Sequence, residues 1–234
     1  MVLFGNDVSS HNELNNIGLN ELDYSIVKLT EGASYINPKA YTQSKATQEA
    51  GKLLGYYHWL SAGVDVIDQA NYFLITLGQD AIADDIILML DVEEEALTGD
   101  EPKIFMDYVF QKTGKRMLVY MGVSYINNPK YDWSDIADTY PVMVAGYPLN
   151  DGSGYTSELQ AYADTHYFNG LKWWSIVTAW QYTSVPFDHS VFYGDRDTWH
   201  AIGSRVNVGE KPASLDKTKE INELAKKIVD LTNS

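Results

Sequence analysis

The sequence predicts one α/β domain closed into a (β/α) barrel. Three observations carry that prediction: apolar strand-like segments alternate with helical patterns, there are seven or eight such segments, and no glycine-rich phosphate loop follows the first. Alternation of this kind is the signature of βαβ units and a parallel sheet. Seven or eight strands favour closure over an open doubly wound sheet, which usually has fewer and carries the glycine fingerprint. At 234 residues, with 45% hydrophobic and 13% aromatic content, the chain can fill one core of that size.

The candidate strands are, in order, "VLFGNDVS", "YSIVKLTEG", "KLLGYYHWL", "IILMLDVE", "RMLVYMG", "PVMVAGYP" and "SIVTAWQYT", with "VFYGD" a weaker eighth. The run Ile86, Ile87, Leu88, Met89, Leu90 has the unbroken apolar character of a strand buried on both faces. Helical patterns occupy "NPKAYTQSKATQEAGK", "DVIDQANYFLITLG" and "DEPKIFMDYVFQKTG", each close to a glycine that stops a helix by supplying a left-handed turn. After Pro212 the composition shifts. Ile221, Leu224, Ile228 and Leu231 recur at three-four spacing, so an amphipathic helix is expected from near Ser214. Residues 211–234 carry a net +1 and residues 1–210 a net −16. The expected division is therefore a barrel over 1–210 and a C-terminal helical tail or linker over 211–234, either docked on the barrel or leading to a further module after residue 234.

Composition excludes several classes of function. There is no cysteine, hence no disulfide framework, thiolate nucleophile or thiolate metal site. A formal charge of −15 argues against nucleic acid as a partner, because phosphate-backbone binders carry a basic footprint. No apolar run approaches a membrane span, and "MVLFGNDVSS" has no basic segment ahead of its few apolar residues, so neither a membrane nor an export signal is expected. His58 lies in an aromatic run with no HxH or HExxH spacing, which argues against a metal. No cofactor is expected.

In a parallel barrel the chemistry gathers at the carboxyl ends of the strands. Here those ends supply Asp7, then Lys28 and Glu31, then Tyr57, His58 and Trp59, then Asp91 and Glu93, then Tyr120, Tyr147, Trp180 and Gln181, with Asp188 following. Strand alternation puts Asp91 and Glu93 on one face and Val92 on the other, with Cα atoms ~6 to 7 Å apart at the strand rise. Glu94 and Glu95 read instead as a solvated loop or an acidic first helical turn. Acids beside tyrosine and tryptophan suit a carbohydrate, since carboxylates bind hydroxyls and move protons while aromatic faces stack on sugar rings.

The segments "GNDVSSHN", "VKLTEGASYINP", "GYYHW", "LDVEE", "VYMG", "VAGYP", "WQYTSV" and "DHSVF" occur in an order that resembles family 25 of the glycoside hydrolases, the muramidases of bacteria and phage endolysins, over roughly residues 3 to 195. The resemblance implies an irregular barrel, five βα units followed by three strands without full helices. It also implies cleavage of the β-1,4 bond from N-acetylmuramic acid to N-acetylglucosamine in peptidoglycan, with Glu93 as catalytic acid, Asp91 beside it, and Asp7 and Asp188 completing a carboxylate cluster. Substrate-assisted catalysis with retention comes with the family. Tyr57, Trp59, Tyr120, Tyr147, Trp180 and Gln181 are then the expected sugar contacts. The chain departs from the family pattern at Trp59, where phenylalanine is common, and from Leu149 to Lys172, where it matches less clearly. The missing export signal favours a phage endolysin, acting from the host cytoplasm once a membrane lesion opens. A bacterial autolysin of the same chemistry and an inactive wall-binding module are the alternatives.

Overall fold

The computed structural model describes residues 2–13 and 21–206, so the expected tail helix lies outside the described residues. Among the described residues nine strands form the sheet: β1 (Leu3–Val8), β2 (Tyr24–Glu31), β3 (Tyr35–Ile36), β4 (Leu53–Trp59), β5 (Ile87–Asp91), β6 (Leu118–Gly122), β7 (Val142–Ala145), β8 (Ala179–Thr183) and β9 (His189–Phe192). Eight of them close in the order β1, β9, β8, β7, β6, β5, β4, β2, with β2 pairing back on β1. The short β3 is added antiparallel to the end of β2.

Strand β9 is antiparallel to both neighbours, β8 and β1, while the other barrel strands run parallel. The weak eighth segment of the sequence is this strand, which begins earlier than expected and runs in reverse. The reversal puts its first residues, rather than its last, at the carboxyl rim. Asp188 precedes it and so reaches the rim, whereas Asp195 lies at the far end and caps a helix by accepting from the Thr198 amide at 2.9 Å.

Among the described residues, the helices of ten residues or more are α1 (Ala40–Glu49), α2 (Val66–Leu77) and α3 (Glu101–Thr113), following β2 with β3, β4 and β5. Their ends follow from the sequence. Asp65 accepts from the amides of Ile67 and Asp68 at the start of α2, and Gly114, at φ 74°, ends α3 in the left-handed conformation that glycine adopts without strain. Beyond β6 the helical layer thins to α4 (Val123–Ile126), α5 (Ser134–Ala137) and α6 (Ser157–Ala163), a wide turn at Asp164–Phe168, and α7 (Arg196–Gly203). None of the helices among the described residues is long and apolar enough to cross a membrane.

Alternation along the strands divides the core into two shells. Leu3, Tyr24, Ile26, Leu53, Ile87, Leu118, Met143, Ala179 and Phe192 pack inside the barrel, and Trp199 of α7 packs against Tyr24 and Phe192. Val27, Leu54, Leu88, Leu90, Val119 and Val144 face outward onto Phe73, Phe105 and Val109 of the helices. Each of those fully buried large side chains contributes ~1.5 to 3 kcal/mol by leaving water, and truncating Phe105 to alanine would cost ~3 to 5 kcal/mol. Gly5 is required on β1, since a Cβ there would stand 2.3 Å from the ring of Tyr24, which fills the barrel floor.

Candidate active site

Each inward column of side chains ends in a polar or aromatic group at the carboxyl rim. On β1, Leu3 and Gly5 lead to Asp7; on β4, Leu53 and Gly55 lead to Tyr57 and Trp59; on β5, Ile87 and Met89 lead to Asp91 and then Glu93. The same parity carries β6 to Tyr120, β7 through Ala145 to Tyr147, and β8 to Gln181. These residues, with Asp188, line one cavity of about 220 Å³: Asp7, Tyr57, Trp59, Met89, Asp91, Glu93, Tyr120, Tyr147, Gln181 and Asp188. The structure therefore brings together all four predicted acids and five of the six predicted sugar contacts.

Trp180 is the exception. It is fully buried and packs with Leu159, Ala163, Tyr182 and Val191 outside the barrel, its indole N–H donating to the Gly146 carbonyl at 2.8 Å. It neighbours Gln181 in sequence, and adjacent residues of a strand face opposite sides. The expectation that both reach the cavity is corrected on that ground. His58, between Tyr57 and Trp59, likewise points outward, where it pairs with Thr30 at 2.8 Å and Gln69 at 3.3 Å and stacks on Phe105. Burial pushes its pKa down to about 3, so it is neutral and structural.

Gln181 organises one wall. Its amide nitrogen donates to Asp7 Oδ2 at 2.7 Å, and its oxygen accepts from the Tyr120 hydroxyl at 2.8 Å and also from the Tyr147 hydroxyl. The amide orientation is thereby fixed: two phenols mark its oxygen, leaving its N–H for the carboxyl group. Asp91 has no such support. It is 6% exposed, and its Oδ1 is buried without a hydrogen-bond partner among the described residues. An oxygen of that kind costs free energy in the unliganded protein and is available to a ligand.

All four acids hold protons more tightly than usual. Asp7 and Asp91 are pushed well up, first by burial and then by neighbouring charge, Asp188 for the former and Glu93 for the latter. Asp188 rises from 3.8 to about 6, chiefly by burial. Glu93 is also raised, by burial and then by Asp188, with Lys28 opposing. Glu93 is the most open of the four by surface area, at the mouth of the cavity. Like charges share the site, as the sequence indicates, but desolvation is the larger cause at every member. The cluster titrates as a unit.

Two contributors, Met89 and Glu94, were not anticipated, and Lys28, expected only as a strand-end residue, has defined partners at the rim. Met89 floors the cavity and shares the parity of Asp91, so strand alternation contains the signal. Lys28 stands 4.9 Å from the ring centre of Trp59 and 5.9 Å from that of Tyr57, and pairs with Glu31 at 2.6 Å. It shares the inward parity of Tyr24 and Ile26. Glu94, expected in a solvated loop, accepts from the Trp59 indole N–H at 3.0 Å and the Ala62 amide at 2.8 Å. No local pattern announces that contact, because its partners lie 35 and 32 residues away.

Comparison with known proteins agrees with this geometry. The model of Glycosyl hydrolases family 25 matches residues 6–191. Among curated proteins, the uncharacterized protein YegX of Escherichia coli O6:H1 (strain CFT073) is 30% identical over 143 residues, 57% of this chain and 51% of YegX. The chain thus spans about half the length of that relative. Among solved structures, the bacterial lysozyme from Streptomyces coelicolor superposes with a TM-score of 0.67 at 19% identity, covering 86% of this chain and 96% of that one. A family GH25 lysozyme from Aspergillus fumigatus superposes with a TM-score of 0.64 at 17% identity, covering 87% and 100%.

Proposed function

The chain belongs to family 25 of the glycosyl hydrolases, and we propose that it is a muramidase, cleaving the β-1,4 bond from N-acetylmuramic acid to N-acetylglucosamine in peptidoglycan. The observation that carries the proposal is the meeting of Asp7, Asp91, Glu93 and Asp188 in one aromatic-walled cavity. Glycoside hydrolysis needs a carboxylic acid that is still protonated near neutral pH and a negative charge facing the oxocarbenium-like transition state. A cluster whose members are all raised, yet not all equally buried, supplies both.

Glu93 is the general acid. It projects from the end of the β5 column into the mouth of the cavity, where a glycosidic oxygen is accessible, and bound glycan would desolvate it further. Asp91, deeper on the same face, uses its unpartnered oxygen to orient the substrate's own 2-acetamido group. That acetamide oxygen attacks the anomeric carbon as Glu93 protonates the leaving oxygen, and water then opens the cyclic intermediate, so the configuration is retained. Asp7 is held by Gln181, and with Asp188 it raises the proton affinity of the cluster. Tyr57, Trp59, Tyr120 and Tyr147 offer faces and hydroxyls to the sugar rings.

Digestion of purified peptidoglycan tests the reaction: muramic acid at the new reducing ends supports it, and glucosamine there would contradict it. Proton NMR of the first-formed anomer tests retention. The same digestion separates an enzyme from an inactive wall-binding module, a reading disfavoured by the gathering of all four acids. For its setting we propose a phage endolysin, with a bacterial autolysin of the same chemistry as the alternative. The genes flanking its reading frame test that choice, since a membrane-lesion protein and phage structural genes are expected beside an endolysin.

A further inference from the structure

We propose that Glu94 is a positioning residue that locks the indole of Trp59 to the chain segment carrying Glu93, so that the aromatic wall and the acid are held as one piece. This rests on the muramidase reading for its kinetic consequence, but the contact itself does not. Both carboxyl oxygens of Glu94 are in use, Oε1 accepting from Trp59 Nε1 at 3.0 Å and Oε2 from the Ala62 amide at 2.8 Å. Its main-chain carbonyl accepts from the Tyr125 hydroxyl at 3.0 Å. One residue therefore joins the end of β4, the turn after it and the segment after β5 to α4.

The support behind Glu94 is rigid. Tyr125, Tyr131 and Trp133 stack in series, with ring centres 4.8 Å apart at each step. Lys130 donates to the carbonyls of Glu95 at 2.9 Å and Leu97 at 3.0 Å, and the Tyr131 hydroxyl donates to that of Glu95 at 3.2 Å. The segment from Glu94 to Leu97 is thus fastened along its carbonyls by residues 125–131. With its N–H consumed by Glu94, the indole of Trp59 is fixed in rotation and turns its ring to Lys28, 4.9 Å away, and to the cavity it lines. A platform fixed before the ligand arrives loses less rotamer freedom on binding.

Glu94→Gln tests the role. Both native partners of the carboxyl are N–H donors, so an amide must turn its NH₂ toward one of them and lose that bond. In ¹⁵N-tryptophan-labelled protein, the Trp59 indole resonance, assigned by its absence in Trp59→Phe, should move in Glu94→Gln while the other five tryptophans stay in place and the melting temperature changes little. On soluble peptidoglycan fragments kcat/KM should fall about tenfold, the size of one charge-assisted hydrogen bond, and mainly through KM. In a Trp59→Phe background, which has no N–H to hold, the further loss from Glu94→Gln should shrink to under about twofold. Unchanged KM with an unmoved Trp59 resonance, or losses that multiply independently in the double variant, would overturn the proposal. Wild-type protein inert on peptidoglycan would overturn the muramidase reading instead, and the Trp59 resonance would still decide whether Glu94 holds the indole.

Discussion

Both ends of the barrel bury charge, and they treat it in opposite ways. At the amino end Lys115 is fully buried, and its ammonium donates to the carbonyl of Ala83 at 2.6 Å and to that of Ile86. Burial lowers its pKa to about 8, with Asp84, Asp85 and Asp80 opposing, so it stays charged at neutral pH. At the carboxyl end Asp91 is almost as buried, yet one of its oxygens has no partner among the described residues, and three more acids face the same cavity. A buried charge with its hydrogen bonds made is a structural tie; a buried group left unsatisfied among like charges is maintained against stability and is available for chemistry. The amino end closes the barrel, and the carboxyl end keeps a reactive site open in it.

Breaking the carboxyl end should affect rate and spare the fold. Glu93→Gln keeps shape and hydrogen-bonding capacity but has no proton to give, so hydrolysis of peptidoglycan should fall ~10²- to 10⁴-fold with glycan binding and melting temperature preserved. Breaking the amino end should do the reverse. Lys115→Met leaves two inward carbonyls without their donor, and denaturant titration should show a loss of ~1 to 3 kcal/mol while kcat at a temperature where the variant is folded stays near wild type.

The pH dependence of stability sharpens the contrast. For Asp188, raised from 3.8 to about 6, the unfolded chain ionises first as pH climbs through that window while the folded chain keeps its proton. Stability is therefore lost between about pH 4 and pH 6 and does not return above it. Asp188→Asn removes that loss. At pH 7 the variant should melt above wild type, and the two should converge below pH 4, whereas equal melting temperatures at pH 7 would show that the site carries no such strain. A smaller effect concerns the alkaline limb of the activity profile, where the cluster gives up the proton Glu93 donates. Asp188 raises Glu93 and Lys28 lowers it. Asp188→Asn should move that limb to lower pH and Lys28→Met to higher pH, in residual activity measured across the same buffers.

The barrel and its acids are legible in sequence because both follow from short-range rules. A strand-helix alternation gives closure, and an apolar run ending in Asp91 and Glu93 gives two acids on one face. The same period-two rule, applied strictly, separates Gln181 from Trp180 and Tyr57 from His58, and it points to Met89 and Lys28. What escapes it is set by pairing at long range. The reversed direction of β9, which brings Asp188 to the rim and sends Asp195 away from it, depends on how β8 and β1 are bridged. The engagement of Glu94 depends on β4 and β5 lying side by side, with Trp59 opposite Asp91 in register.

The central claim, that Glu93 gives the proton while Asp91 serves the substrate's acetamide, is tested most directly by changing the leaving group. Turnover of natural peptidoglycan fragments is compared with turnover of an N-acetylmuramyl substrate whose leaving group departs without protonation, for wild type, Glu93→Gln and Asp91→Asn. Glu93→Gln should recover most of its lost rate on the activated substrate, and Asp91→Asn should stay severely slow on both. Rescue of Asp91→Asn in preference to Glu93→Gln, or digestion of peptidoglycan by folded Glu93→Gln at close to the wild-type rate, would contradict the assignment.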